Sequence, residues 1–250
     1  MPVAIDHVVV AVNDLAATIH DYERMGFTVT FGGEHAHRGS HNALVTFQDG
    51  SYIELIAFRH EPPVKDNTWW DLLQIGEGLV DVAVISSDLP EEIAALAGTG
   101  FAITGPMQGG RHLPDGTRID WRVARLDVQG PDRYPFLIDD LTPRDQRVPK
   151  GETSQHPNGV AGIARVTIGV SSLGSAAPRF GAIFGEGDGP RFTVGDQEIA
   201  LVDPDTVSPE QAARLASHGP GPLEIGFRRP DRDAAILPLD LTHNARFVII

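Results

Sequence analysis

Cysteine is absent from this chain of 250 residues. Its absence excludes disulfides, thiolate zinc sites, iron–sulfur ligation and a cysteine nucleophile. Any metal site must therefore be built from histidine, aspartate and glutamate, and the chain has ten histidines.

Basic residues are also scarce, because 20 Lys and Arg stand against 34 Asp and Glu, a formal net charge of −14. Nucleic-acid phosphates require a basic surface, so the composition argues against DNA or RNA as a partner. No basic amphipathic segment favours a membrane surface, and no apolar run approaches the ~18–20 residues of a membrane span. The first residues lack the pattern of a signal peptide, and we expect a cytoplasmic protein.

Two segments of the chain resemble each other at an offset of 74 residues, the separation of Asp14 from Asp88. Each Asp is followed by Leu, and Gly26-Phe27 in the first copy matches Gly100-Phe101 in the second. A strand rich in β-branched residues precedes each Asp, a helix follows it, and three strands follow each Gly-Phe pair. The pattern predicts an α+β fold made of tandem βαβββ units.

The repeat also predicts how the chain is divided. The divisions are a domain over 1–145 with paired units 1–60 and 76–141, a linker over 146–160, and a degenerate βαβββ-like unit over 161–250. Within the last region, a strand over Leu223–Phe227 resembles the start of a fourth unit. Trp69 and Trp70 are interpreted as packing residues, with a lid or a homodimer contact as the alternatives.

Glu54 falls in an otherwise apolar strand, and His7 precedes a run of four apolar residues. A charge there is costly to bury unless something pairs with it, so the two residues form either a hydrogen-bonded pair or part of a metal site. Asp49-Gly50 is typical of a two-residue hairpin turn. That turn would set His41 opposite Phe58 and place His41 on the same face as Glu54.

Together these elements resemble the vicinal oxygen chelate superfamily, and more closely its glyoxalase-like domain group. The motifs that carry the resemblance cover most of residues 1–140: Ile5-Asp6-His7, Asn13-Asp14-Leu15, Gly32-Gly33-Glu34-His35, Ser40-His41-Asn42-Ala43-Leu44, Tyr52-Ile53-Glu54-Leu55, Arg111, Pro114-Asp115-Gly116, Trp121-Arg122 and Pro135-Phe136-Leu137-Ile138-Asp139. The resemblance implies a curved, cup-shaped mixed sheet with helices outside it and a divalent metal on its floor.

The resemblance also implies four ligand positions, on the first and fourth strands of each unit. His7 and Glu54 match the first pair. Asp81 falls where His7 falls, while the last position lands near Phe136, which cannot bind metal. The implied ligands are therefore His7, Glu54 and Asp81, with coordination positions left open for water or substrate. Imidazole and carboxylate suit Fe, Mn, Zn, Ni or Co. Arg165 takes the position of His7 in the third unit, which predicts that this unit is not catalytic.

Such a site implies a metal-dependent enzyme that binds two vicinal oxygens of a small molecule. Isomerase or lyase chemistry follows from stabilising a developing oxyanion, and dioxygenase chemistry follows if the metal is Fe²⁺. Glu54 and His41 are the candidates for moving a proton, and Asn42, Arg111 and Trp121 are the candidates for binding substrate. The alternative is a metal-free binding or resistance protein that sequesters a small ligand in the same cup.

Overall fold

The computed structural model describes residues 1–35, 39–59, 67–113, 115–127, 130–230 and 234–250. In that part of the chain, the first sheet contains β1 (Ala4–Ala11), β2 (Thr30–His35), β3 (Ser40–Thr46), β4 (Tyr52–Phe58), β5 (Gly78–Ile85), β6 (Ala102–His112), β7 (Arg118–Asp127) and β8 (Phe136–Asp140). The second sheet contains β9 (Gly162–Gly169), β10 (Arg191–Val194), β11 (Gln197–Val202), β12 (Gly221–Arg228), β13 (Ala235–Ile236) and β14 (Phe247–Ile249). The helices are α1 (Leu15–Arg24), α2 (Thr68–Ile75), α3 (Leu89–Leu96), α4 (Arg144–Arg147), α5 (Leu173–Phe184) and α6 (Pro209–His218), with a 3₁₀ turn at Glu152–Ser154.

The first sheet has the strand order β2-β3-β4-β1-β5-β8-β7-β6 and curls into a half-barrel with helices outside. Its centre is the antiparallel pair β1 and β5, in which Val8 lies opposite Val82. These two valines are themselves separated by the repeat offset, so an approximate two-fold axis relates the two units. The predicted α+β fold of tandem βαβββ units is confirmed.

The second sheet, in the order β10-β11-β9-β12-β14-β13, repeats the central arrangement of the first. Strand β9 pairs parallel with β11 and antiparallel with β12, as β1 pairs with β4 and β5. The third unit is β9-α5-β10-β11, and β12 begins a shortened fourth unit. No helix among the described residues is long and apolar enough to cross a membrane.

Aspartates of the repeat start the helices as the sequence predicts. Asp14 accepts hydrogen bonds from the backbone N–H groups of Ala16 and Ala17, and Asp88 accepts one from Glu91. The helix faces and the two sheets share one apolar core. Since burial of each large side chain contributes about 1.5–3 kcal/mol, this core holds the cup in shape.

The segment predicted as a linker, 146–160, packs against the first sheet. Its residues Val148, His156 and Val160 are buried. The His156 ring accepts a hydrogen bond from the backbone N–H of Thr28 at Nδ1 (2.9 Å) and bonds the carbonyl oxygen of Thr46 through Nε2 (3.0 Å). Burial lowers the pKa of His156 from its ordinary value.

The hairpin between β3 and β4 has a different turn from the one predicted. The N–H of Phe47 bonds the carbonyl of Ser51, and Gly50 closes the loop in the left-handed region at φ 85°. The loop is thus one residue longer than a two-residue turn, which shifts the register by one. His41 lies opposite Ala57, and Asn42 lies opposite Ile56. A one-residue shift exchanges the two faces of a strand, so the predicted place of His41 in the cup is wrong.

Candidate active site

The cavity lies inside the curl of the first sheet and has a volume of about 250 Å³. Alternate residues of β3 and β4 face it, namely Ser40, Asn42, Leu44, Tyr52, Glu54, Ile56 and Phe58. The second unit contributes Gln108, Gly109, Gly110, Arg111, His112, Arg118, Trp121, Val123, Arg125, Phe136 and Ile138. His41 is not part of this lining. Each unit therefore supplies one wall of the same cavity.

His7 stands on β1 at the floor of the cavity and is 3% exposed. Its Nδ1 is 2.6 Å from Oδ2 of Asp6, and its ring stacks on Tyr52 with centroids 4.5 Å apart. The edge of Phe136 packs against it, with centroids 5.5 Å apart. These contacts leave Nε2 directed to Glu54, whose Oε2 lies 3.5 Å away. That distance is longer than a strong hydrogen bond and falls within the range of an ion pair.

Asp6 fixes the His7 ring and is itself held by two arginines. Arg147 donates to both Asp6 oxygens, at 2.8 and 3.0 Å, and Arg144 forms a further ion pair. Burial alone would raise the pKa of Asp6, but these arginines and His7 outweigh burial and hold the pKa well below its ordinary value. Asp6 is therefore ionised, so it accepts the proton on Nδ1 of His7, and Nε2 is the ring nitrogen that faces Glu54.

Asn42 connects Glu54 to Arg111. Its Nδ2 donates to Oε1 of Glu54 at 2.6 Å, and its Oδ1 accepts from Nη1 of Arg111 at 3.3 Å. Gly32 on β2 permits this contact, because a Cβ there would lie 2.3 Å from Oδ1 of Asn42 and 2.6 Å from Nη1 of Arg111. The corrected register thus brings Asn42 and Arg111 to Glu54, where the sequence predicted His41.

Asp81 does not join His7 and Glu54. Its Oδ2 accepts from Nε1 of Trp69 at 2.7 Å and from Arg125 at 3.0 Å. Within the described residues, no group of three His, Asp or Glu side chains is placed to hold a metal ion. We therefore assign Asp81 to the contact with Trp69 and Arg125 rather than to a ligand set.

Phe136 occupies the position that corresponds to Glu54. Val9 lies opposite Glu54 in the first unit, and Ala83, the residue equivalent to Val9 at the repeat offset, lies opposite Phe136. The guanidinium of Arg125 lies over the Phe136 ring at 5.1 Å from its centroid. At these matching positions the second unit therefore presents an aromatic ring and a guanidinium, while the first unit presents an imidazole and a carboxylate.

A family model for the glyoxalase-like domain matches residues 5–184 of this chain. The chain belongs to the glyoxalase-like domain family. The match spans both paired units and extends through α5, and it confirms the resemblance drawn from the sequence motifs. No curated protein matches the chain.

Solved structures of other proteins are similar to this glyoxalase-like chain over part or nearly all of its length. A hypothetical protein from Staphylococcus aureus is 14% identical with a TM-score of 0.76, and the match covers 99% of this chain and 98% of that one. A mutant of 4-hydroxymandelate synthase from Streptomyces coelicolor is 14% identical with a TM-score of 0.58, covering 92% of this chain and 72% of that one. Methylmalonyl-CoA epimerase from Mycobacterium tuberculosis is 21% identical over 56% of this chain and 90% of that one, with a TM-score of 0.44.

Enzymes of this fold commonly use a divalent metal, and His7 and Glu54 suit one. Two ligands at ~2.1 Å from one ion in a tetrahedral arrangement lie about 3.4 Å apart, close to the 3.5 Å between His7 Nε2 and Glu54 Oε2. A carboxylate on the far nitrogen of a histidine, here Asp6, is the usual support of a metal ligand. His7 and Glu54 are therefore the two residues that could hold such an ion.

Sequence reasoning missed the contributions of Asp6, Tyr52 and Arg147. The sequence does contain a signal for Asp6. It is a second ionisable residue next to His7 at the start of an apolar run, and a buried charge there needs a partner. Arg147 gave none, since it comes from a segment rich in proline, glycine and charge, 141 positions along the chain from Asp6. Its hydroxyl partner Tyr52 looks like an ordinary strand aromatic in the sequence.

Proposed function

We propose that this protein is a metal-dependent enzyme of the vicinal oxygen chelate type that acts on a small oxygenated molecule. The observation that carries the proposal is the arrangement of His7 Nε2 and Glu54 Oε2, 3.5 Å apart on the floor of a cavity. His7 and Glu54 would hold the ion. When bound, a divalent cation supplies Lewis-acid stabilisation of negative charge on a substrate oxygen.

The side chains around Glu54, the proposed reacting carboxylate, fix its orientation. Asn42 bonds one oxygen of Glu54, which fixes the plane of the carboxylate and leaves Oε2 toward His7. Glu54 is 7% exposed, and a carboxylate shielded from water is a competent proton acceptor at a fixed position. Isomerase or lyase chemistry, in which a proton moves next to a carbonyl, is the class that suits this arrangement.

Asn42, Arg111 and Trp121 are the proposed substrate-binding residues. Arg111 and Asn42 lie beside Glu54, so they offer hydrogen-bond donors next to the proposed reacting group. Trp121 lines the opposite part of the cavity, where it packs with Val123 and Phe136. A small molecule with polar atoms at one end and an apolar remainder fits this distribution.

Metal analysis tests the proposal. The wild-type protein, purified with Mn²⁺, Fe²⁺, Zn²⁺, Ni²⁺ and Co²⁺ in turn, is compared with His7→Ala and Glu54→Gln by elemental analysis after gel filtration. We expect near-stoichiometric retention of at least one ion by wild type and at least a tenfold weaker affinity in each variant. The matched control is Glu34→Gln, which removes another carboxylate of the cavity lining, one paired with Arg59. Equal metal content in all four proteins contradicts the proposal.

A metal-free binding protein is the second candidate, and two observations favour it. Phe136 stands where a fourth-strand ligand would stand, and Asp81 is engaged by Arg125. If none of the five ions is retained by wild type while small apolar ligands raise its melting temperature, this candidate replaces the enzyme.

A further inference from the structure

Arg111 is a buried cation with neutral partners. Its side chain lines the cavity and is 5% exposed. It donates to the Oδ1 of Asn42 at 3.3 Å and to the carbonyl oxygen of Arg147 at 3.1 Å, while its Nε is buried and donates to none of the described residues. Burial lowers the pKa of Arg111 from its ordinary value, and the neighbouring Tyr52 and Glu54 oppose that effect.

The other arginines of the cavity lining are each paired with an aspartate. Arg118 pairs with Asp120 at 2.7 Å, and Arg125 pairs with Asp81 at 3.0 Å. Arg147, which is as buried as Arg111, makes five hydrogen bonds to Asp6, Asp140 and Tyr52. Among the described arginines that line the cavity, Arg111 is therefore the one without an ion pair to a carboxylate.

A guanidinium has five N–H donors in a planar fork that matches a carboxylate, and Arg111 uses two of them on neutral oxygens. A buried charge that no carboxylate pairs with directly is costly, so an anion that enters the cavity gains from pairing there. We propose that Arg111 receives the carboxylate of a small oxygenated organic acid. This assignment deepens the proposed function and rests on it, since it names the class of substrate.

The position of Asn42 sets the shape of that acid. One amide group spans the gap from Arg111 to Glu54, so the carboxylate and the carbon that faces Glu54 belong to the same end of the molecule. The rest of the molecule extends along Trp121, Val123 and Phe136, which makes it apolar. A carboxylate suits Arg111 better than a phosphate dianion, because the second negative charge would lie close to Glu54.

Calorimetric titration with 3-phenyllactate and its uncharged amide, 3-phenyllactamide, tests the inference. Each titration is run on chelator-treated protein and again with saturating Mn²⁺, so that preference for the carboxylate is measured without a metal as well as with one. We expect wild type to bind the acid at least tenfold more tightly than the amide. Arg111→Gln should lose about 10- to 100-fold of affinity for the acid and little for the amide. Arg118→Gln, which removes a paired and half-exposed arginine of the same cavity, should change both affinities by less than about twofold.

Arg111→Lys keeps a charge in the cavity and should recover part of the preference, and a melting curve of each variant checks that it is folded. The inference is overturned if wild type does not prefer the acid, if Arg111→Gln and Arg111→Lys both retain the preference, or if inorganic phosphate displaces the acid at equal concentration. Failure of the metal hypothesis is a separate observation, because it appears as equal metal content in wild type, His7→Ala and Glu54→Gln.

Discussion

The two halves of the cup share one βαβββ motif but place different chemistry at matching positions. In the first half, His7 on β1 and Glu54 on β4 face the cavity. In the second half, Asp81 is paired with Arg125, and Phe136 packs its ring against His7. One half thus carries the proposed reacting groups, while the other provides an apolar wall and the arginine that we assign to the substrate. The two halves can differ in this way because the fold depends on the pairing of the strands, and the side chains at these cavity-facing positions can vary without changing that pairing.

The difference extends to the residues behind each half. His7 is supported by Asp6, which is fully buried and is held by Arg147 and Arg144. Asp81 is supported by Trp69 and by Arg125, whose side chain is 39% exposed. A buried carboxylate with two cations is a rigid anchor, whereas a partly solvated pair contributes little to stability. The following predictions test that contrast.

Asp6→Asn is expected to have the largest effect. Removing the fully buried carboxylate of this network leaves Arg147 and Arg144 with Asp140 as their shared counter-charge, so the free energy of unfolding should fall by about 3–5 kcal/mol. Urea unfolding followed by tryptophan fluorescence measures this change. The matched control is Asp120→Asn on the second half, which removes the exposed pair with Arg118 and should cost less than about 1 kcal/mol. Equal losses in the two variants would contradict the contrast.

The lowered pKa of the Asp6 carboxyl also leads to a prediction of how the free energy of unfolding depends on pH. The pKa of Asp6 is lower in the folded chain than its ordinary value of 3.8, so its contribution is present above pH 3.8 and is lost as the pH falls below that value. The free energy of unfolding of wild type should therefore fall more steeply below pH 3.8 than that of Asp6→Asn. Parallel slopes in acid titrations of the two proteins would show that Asp6 is not the group responsible.

Asp81→Asn is expected to have a smaller effect. It removes the charge that Arg125 pairs with but keeps an oxygen that accepts from Trp69, so the loss should be about 0.5–1 kcal/mol. Its metal content should equal that of wild type, in contrast to Glu54→Gln. Loss of metal from Asp81→Asn would return this residue to the ligand set.

The fold could be predicted from the sequence because both copies of the repeat contain the same helix-capping residues as well as the same strands. The capping aspartates, Asp14 and Asp88, and the apolar strands are local signals, and their offset identified the tandem units. His7 and Glu54 were also predictable, since an ionisable residue in an apolar strand stands out. The register of β3 was not predictable, because it depends on whether the loop consists of Asp49-Gly50 alone or also includes Gln48. The role of Arg147 was also not predictable from the sequence, since it depends on how a segment without a regular hydrophobic pattern packs against Asp6.

His41→Ala is expected to have the smallest effect, and it tests the register directly. His41 lies on the other face of β3 from its neighbour Asn42, and burial and the nearby Arg59 lower its pKa. Because it contacts neither Glu54 nor the cavity, its removal should change the free energy of unfolding by no more than about 0.5 kcal/mol and leave metal content and acid binding unchanged. Asn42→Ala is the paired variant, since it removes the amide between Glu54 and Arg111 and should weaken binding of 3-phenyllactate severalfold. If His41→Ala has the larger effect on binding, β3 has the register of the two-residue turn and the first half of the cup carries a second histidine.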